Sequence, residues 1–99
     1  MAEVKNIITK EKLEKYFSIT HKALEMVNIA KKDESRKDMA LDFLDMATRY
    51  FNDAKYFYSN GDYINAFAAI NYAHGWLDSG ARSKLFLVKD SKLFTVDDD

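Results

Sequence analysis

The chain has 99 residues, 47% of them hydrophobic and 14% aromatic, which is enough for one domain with an apolar core and too little for two. The absence of cysteine excludes disulfides, thiolate metal sites and a cysteine nucleophile, while the absence of proline and the presence of only three glycines favour long helices. A formal net charge of −1 gives no basic field for nucleic acid, and no apolar run approaches the roughly 20 residues of a membrane span. We therefore expect a single cytoplasmic domain over residues 1–99, with no membrane or DNA partner.

The first predicted helix covers residues 9–31. Thr9 is placed to act as its N-cap, because a threonine hydroxyl can accept a hydrogen bond from a backbone N–H of the first turn. Ile8 and Leu13 occupy the two positions of a hydrophobic staple. The residues that then recur at steps of three and four along one face are Leu13, Phe17, Thr20, Leu24 and Val27.

The second predicted helix covers residues 35–60, with Ser35 as its N-cap and Asp38 three residues later. Two neighbouring apolar stripes together cover nearly half of its circumference. They are formed by Met39, Phe43, Met46, Tyr50 and Phe57, and by Ala40, Ala47, Phe51, Ala54 and Tyr58. A helix with so wide an apolar arc is expected to be the middle helix and to pack on both neighbours.

The third predicted helix covers residues 62–86. Gly61 suits the left-handed position that ends the second helix, and Asp62 is a good N-cap for the third. Because almost no loop separates them, the two helices should be antiparallel neighbours. Gly80 is interpreted as a packing residue inside the helix that lets another helix approach closely. One face of the helix carries Tyr63, Phe67, Ile70, His74, Leu77, Ala81 and Leu85.

Residues 87–99 are predicted to form a tail with a turn and a short extended segment, a small hairpin being the alternative. The last three residues, all aspartates, are expected to be a frayed end. The predicted fold is therefore all-α, an antiparallel up-and-down three-helix bundle with a short extended C-terminal segment.

The stretch from Ala54 to Asp78, together with Leu93-Phe94-Thr95-Val96, resembles the small archaeal proteins gathered as domain-of-unknown-function family 357. The resemblance is most specific in the third helix and covers about two thirds of the chain. It implies a three-helix bundle and an archaeal, cytoplasmic source. It implies no activity, because none is assigned to the family.

Parts of the same stretch are similar to two other groups. Gly61-Asp62-Tyr63 followed by Ala66 and Ala73 looks like a tetratricopeptide-repeat junction, but only one such unit is visible and solenoids need about three. The stretch is also similar to HEPN domains, helical bundles that include ribonucleases. Their catalytic signature is an arginine and a histidine separated by four residues. The positions five before His74 and His21 hold Ala69 and Tyr16, so this signature is missing.

His74 lies at the centre of the apolar face of the third helix. A histidine in that place is usually a core residue whose nitrogens bond to a neighbouring hydroxyl or carbonyl. The functional alternative is a polar pocket formed with Asn71, Asp78 and Arg82, one step round the same helix. The pair Asp78 and Arg82 also has the spacing of an ion pair at the helix edge. No catalytic set, metal site or cofactor site is predicted from the spacing of the polar residues.

Three aromatic residues form the candidate interface. Tyr72 and Trp76 are predicted to project from the third helix opposite its core face, and Tyr56 lies off the apolar stripes of the second. Tryptophan and tyrosine anchor many protein interfaces, whereas scattered exposed apolar residues are normal on any protein.

The leading functional prediction is a non-enzymatic protein-interaction module, most simply a homo-oligomer. The alternative is a HEPN-like module that binds RNA or a nucleotide, or an accessory subunit of such an enzyme. The charge of the chain does not support RNA. Exposure of His74, Asn71 and Arg82 in one cleft would favour this alternative, whereas an aromatic patch without converging polar groups would favour the interaction module.

Overall fold

The computed structural model describes residues 2–97 and contains three long helices, α1 (Lys10–Ile29), α2 (Lys37–Ser59) and α3 (Tyr63–Arg82). A single 3₁₀ turn, Glu34–Arg36, leads into α2. The described part of the chain contains no β-strand, only one isolated bridge between Lys32 and Phe86. This confirms the all-α three-helix prediction. None of the helices within residues 2–97 is long and apolar enough to span a membrane.

Helix α1 begins where the sequence predicts and ends two residues early. The Thr9 hydroxyl accepts a hydrogen bond from the Lys12 N–H at 3.1 Å, and Ile8 packs in the same apolar cluster as Leu13. At the other end the Lys32 ammonium donates to the carbonyls of Val27, Asn28 and Ala30 at 2.7, 3.1 and 2.8 Å. The last turn of a helix leaves carbonyls without partners, and Lys32 satisfies them.

The predicted N-cap at Ser35 is wrong, because Asp33 caps a 3₁₀ turn that precedes α2, and α2 itself starts after Arg36 without a side-chain cap. The Asp33 carboxylate accepts hydrogen bonds from the backbone N–H and the hydroxyl of Ser35 at 3.2 and 3.0 Å, and from Arg36 Nε at 2.6 Å. The bond from Arg36, followed by that from the Ser35 hydroxyl, lowers the pKa of Asp33. A charged carboxylate accepts more strongly than a hydroxyl, so Asp33 rather than Ser35 caps this part of the chain.

The turn between α2 and α3 is as predicted. Gly61 adopts φ +75°, its N–H bonds to the Tyr58 carbonyl at 3.0 Å, and the Asp62 N–H bonds to the Phe57 carbonyl at 2.9 Å. These two bonds are the Schellman pattern that closes a helix. The Asp62 side chain then accepts from the Asn65 N–H at 3.1 Å and caps α3.

Helix α3, not α2, is the central helix. Helices α2 and α3 pack together along their length, α1 packs mainly on α3, and α1 and α2 touch much less. The small residues of α3 let both neighbours approach its backbone closely, and they are Ala66, Ala69, Ala73 and Ala81, all buried. Part of the wide apolar arc of α2 therefore faces solvent, including Met39, which is 52% exposed.

Helix α3 ends at Arg82, four residues before the predicted end. Lys84 lies in the left-handed region at φ 62°, its N–H bonds to the Ala81 carbonyl at 3.1 Å, and the Leu85 N–H bonds to the Gly80 carbonyl at 2.8 Å. The reversal folds the Phe86 ring onto Gly80, where an added Cβ would lie 2.2 Å from a ring carbon. Gly80 is therefore a packing residue within the helix, as predicted, but the group that approaches it is Phe86 rather than another helix.

The C-terminal segment, residues 87–97, lies on the bundle instead of trailing from it. It follows Leu85 and Phe86, which are buried, and it contributes Phe94, which is 3% exposed, to the same apolar cluster. The Asp33 N–H bonds to the Leu85 carbonyl and the Leu87 N–H to the Lys31 carbonyl, both at 2.9 Å. The segment contains turns and bends and no hairpin within residues 87–97. The predicted frayed end lies, apart from Asp97, outside the described residues.

Candidate functional site

His74 joins three parts of the chain. Its Nε2 donates a hydrogen bond to the Leu93 carbonyl at 2.7 Å, and its Nδ1 lies 3.0 Å from the Thr20 hydroxyl. Because a carbonyl oxygen only accepts, Nε2 must carry the proton, and in the neutral ring Nδ1 then accepts from Thr20. Thr20 is buried on α1, so this bond also satisfies its hydroxyl. A hydroxyl and a carbonyl therefore occupy both ring nitrogens, the arrangement expected of a core histidine.

The other three residues of the predicted polar pocket do not converge on His74. Asn71 is exposed, and its side-chain amide donates to the Phe67 carbonyl of its own helix at 3.0 Å. Arg82 is exposed at the end of α3. Asp78 accepts from the backbone N–H of Thr95 and, at 2.5 Å, from the Thr95 hydroxyl.

His74 and Asp78 therefore tie the C-terminal segment to α3. Within residues 2–97 no group of three or more histidines, aspartates or glutamates could hold a metal ion. No local pattern identifies Thr20, Leu93 and Thr95 as partners, since they lie 54, 19 and 17 residues from the side chains they bind.

Four aromatic side chains meet where α2 and α3 pack together, and we call this cluster the aromatic edge: Phe43, Tyr50, Tyr72 and Trp76. Phe43 and Trp76 have ring centroids 5.0 Å apart, Tyr50 and Tyr72 4.4 Å, and Tyr72 and Trp76 6.2 Å. All three pairs are close to perpendicular, the favoured edge-to-face arrangement. Tyr72 is 52% exposed, whereas the other three rings are half-buried.

Trp76 does not project away from the core, in contrast to the prediction. It packs against the apolar cluster that includes Leu77 and Phe94, and its indole N–H is buried without an acceptor among the described residues. Its position is 100° round the helix from Leu77, which places it at the border of the core face rather than opposite it. An indole that is partly in the core contributes to folding as well as to any contact.

Tyr56 lies elsewhere and does not join the aromatic edge. It is 66% exposed on α2, and its ring touches only the neighbouring ring of Phe57 among the ring contacts of residues 2–97. The partners of Tyr72 and Trp76 are instead Tyr50 and Phe43. The sequence carried a signal for them, because Phe43 and Tyr50 lie seven residues apart in one predicted stripe of α2.

A shallow groove of about 380 Å³ continues from the aromatic edge along α2 and α3. It shares Tyr50 and Tyr72 with the edge, and its remaining lining is formed by Asp53, Phe57, Asn65, Ala68 and Ala69. Only one of these residues is charged. The edge and the groove together form an apolar and mostly neutral surface that the bundle itself leaves uncovered.

A larger groove of about 780 Å³ lies at the other end of α3. Its rim carries Arg82, Lys84 and Lys89 together with Asp97, and its floor is formed by apolar residues that include Phe86 and Val96. This groove could not be predicted from local sequence, because it depends on the early end of α3 and on the return of residues 87–97.

The model of the family described as "Protein of unknown function (DUF357)" matches residues 15–86. No curated protein and no solved structure shows a match to the chain.

Proposed function

Since the chain belongs to the DUF357 family, whose description assigns no function, we propose a function from the surface of the bundle. We infer that the protein is a non-enzymatic interaction module that associates with copies of itself through the aromatic edge. The observation that carries the proposal is the cluster of Phe43, Tyr50, Tyr72 and Trp76, four rings joined by three ring contacts and open to solvent at Tyr72.

The chemistry of these rings supports a protein contact. Aromatic side chains bury a large area with few rotatable bonds, and tyrosine and tryptophan are over-represented among the residues that dominate binding energy.

The competing proposal is a HEPN-like module that binds RNA or a nucleotide. It calls for His74, Asn71 and Arg82 in one cleft, and these side chains bind separate partners or lie apart. We prefer the interaction module because the exposed cluster is aromatic and lacks converging polar groups.

The proposal is tested by the molar mass of the protein from micromolar to several hundred micromolar concentration, measured by light scattering. The wild type should exceed the 11.5 kDa of one chain. Tyr72→Ala should weaken association by about 30-fold, as expected for the loss of a central aromatic anchor worth about 2 kcal/mol. Tyr72 suits this test better than Trp76, because replacing Trp76 would also remove packing from the core.

Tyr56→Ala is the matched control, since it removes an exposed tyrosine outside the aromatic edge. Its association should equal that of the wild type. A wild type that remains at 11.5 kDa over the whole concentration range would contradict self-association. Equal effects of Tyr56→Ala and Tyr72→Ala would place the contact away from the aromatic edge.

A further inference from the structure

Helix α3 contains two glycines whose surroundings differ. Gly80 is required by the fold, because an added Cβ would lie 2.2 Å from the Phe86 ring. Gly75 is exposed, and an added Cβ there would meet no atom within 4 Å. Glycine inside a helix lowers stability relative to alanine, so Gly75 carries a cost that packing within the chain does not explain.

The solvent face of α3 from its first residue to Gly75 is also free of charge. The 15 residues from Tyr63 to Leu77 include no Lys, Arg, Asp or Glu, although 31% of the whole chain is charged. The exposed members of this run are Ile64, Asn65, Ala68, Asn71, Tyr72 and Gly75.

The outer faces of the other two helices have the usual pattern of a solvated surface. Helix α1 pairs Lys10 with Glu14 at 4.0 Å, and α2 pairs Arg49 with Asp45 at 3.0 Å. Burying such a face would remove ions from water at a high cost, whereas burying the face of α3 would not. A solvent-facing helix surface without charged side chains is therefore found on α3 and not on the other two helices.

We propose that α3 crosses α3 of a second copy of this chain at Gly75, so that the two neutral faces cover one another. The proposal rests on the proposed self-association and specifies where the contact lies. The distance between two packed helices depends on the side chains at their crossing point, and glycine allows the closest approach. In a two-fold dimer the same residue of both copies lies at the axis, so Gly75 would face Gly75.

Charge identifies the second copy as the occupant. A charged partner helix would lose the hydration of its ions against a face that offers no opposite charge between Asp62 and Asp78. A second α3 face brings no charge of its own. The face is also continuous with the aromatic edge, because Tyr72 belongs to both, so one contact would cover the exposed rings and the small residues together.

The experiment compares Gly75→Arg with the wild type by sedimentation equilibrium and circular dichroism. Because the space around a Cβ at position 75 is open, the arginine should leave the helical spectrum and the melting temperature of the monomer undiminished. It should raise the dimer dissociation constant at least 100-fold, since two guanidinium groups would meet at the axis. Asn52→Arg is the matched control, because Asn52 is exposed on α2, 180° round the helix from Phe43, and should leave the constant unchanged.

Gly75→Ala keeps the test decisive if the arginine variant folds poorly. Alanine favours the helix, so this variant should melt at a higher temperature as a monomer and still associate several-fold more weakly than the wild type. If Tyr72→Ala weakens association while both Gly75 variants dimerise as the wild type does, the crossing at Gly75 is overturned and the proposed function stands. A monomeric wild type overturns both.

Discussion

A Schellman reversal lies at each end of α3, one closing α2 just before α3 begins and the other closing α3 itself. The two reversals are stabilised in different ways. At the N-terminal end, Gly61 and Asp62 close α2 and start α3 within two residues, and the groups that they bind lie within five residues. At the C-terminal end the chain reverses at Lys84, and the reversal is held by the loop after α1 and by residues 87–97. One end is therefore encoded locally, whereas the other depends on residues far apart in the chain.

The contacts at the C-terminal end come from three directions. The loop after α1 bonds to the carbonyl of Leu85, the Arg36 guanidinium donates to the carbonyl of Ser83 at 2.9 Å, and Phe94 fills the cluster beneath the returning segment. His74 and Asp78 add hydrogen bonds to the same segment. This difference predicts that substitutions at the C-terminal end of α3 have larger effects than those at its N-terminal end.

The largest effect is expected from Phe94→Ala. The ring is 3% exposed in the cluster that includes Leu77 and Ala81, so its removal leaves a cavity and should lower the free energy of unfolding by about 3–5 kcal/mol. Urea denaturation followed by circular dichroism measures this loss. The control is Leu87→Ala in the same segment, which is 55% exposed and should change stability by less than about 0.5 kcal/mol. A loss of stability in Phe94→Ala as small as that in Leu87→Ala would show that residues 87–97 do not belong to the core.

A smaller loss is expected from Gly61→Val at the N-terminal end. The backbone there has φ +75°, which costs a residue with a Cβ about 1–2 kcal/mol, while the open space around position 61 adds no clash. Gly61→Ala should show most of the same loss, since the cause is the backbone and not the size of the side chain. Thermal melts of both variants measure it. Melts that coincide with the wild type would mean that the turn has an alternative conformation.

The difference between the two ends also explains which parts of the fold could be predicted from the sequence. Thr9, Gly61 and Asp62 were predicted correctly because each acts on backbone groups within five residues, so the neighbouring residues contain the whole signal. The end of α3 was predicted four residues too late. Leu85 continues the apolar spacing of the helix, and nothing local indicates that Lys84 takes a left-handed conformation that usually favours glycine.

The candidate site shows the same division. The aromatic side chains of α3 could be identified from composition and spacing, but the half-buried position of Trp76 depends on how α2 packs against α3. The four residues of the predicted polar pocket do not converge, because Asp78 binds Thr95, on a segment whose return onto the bundle has no local signal. The central position of α3 likewise depends on its small residues. The wide apolar arc of α2, from which α2 was predicted to be the middle helix, does not reveal this.

Replacing Lys84 with glycine should stabilise the protein. Lys84 holds the position at the end of α3 that Gly61 holds at the end of α2, at φ 62°. Glycine there removes the cost of a Cβ in the left-handed region and should raise the free energy of unfolding by about 1 kcal/mol. Lys84→Ala is the control, because it removes the same charge and keeps the Cβ. Equal stabilities of the alanine and glycine variants would argue against a left-handed Lys84.

The smallest effect is expected from a hydrogen bond that links the locally encoded end to α1. The Tyr58 hydroxyl, in the last turn of α2, donates to the Glu14 carboxylate of α1 at 2.8 Å. This hydrogen bond, which is lost when the phenol ionises beside the carboxylate, raises the pKa of Tyr58 to about 12. Since the folded state holds this proton more tightly than the unfolded chain, the contribution to stability is complete below about pH 10 and is lost as pH rises towards 12.

Glu14→Gln should therefore lower the pKa of Tyr58 towards its ordinary value near 10.0. The titration can be followed by nuclear magnetic resonance of labelled tyrosine rings, with Tyr58→Phe to assign the signal among the six tyrosines. Glu11→Gln removes a nearby exposed carboxylate of α1 and should leave the titration of Tyr58 unchanged.

The Tyr58–Glu14 pair is exposed to solvent and screened by salt, so the pKa shift of Tyr58 should shrink as salt is added. A pKa that stays near 12 in Glu14→Gln would assign the shift to burial of the phenol and to Tyr63, which stacks on Tyr58 across the turn with ring centroids 5.3 Å apart. The hydrogen bond from Tyr58 to Glu14 of α1 would then not be the cause of the raised pKa.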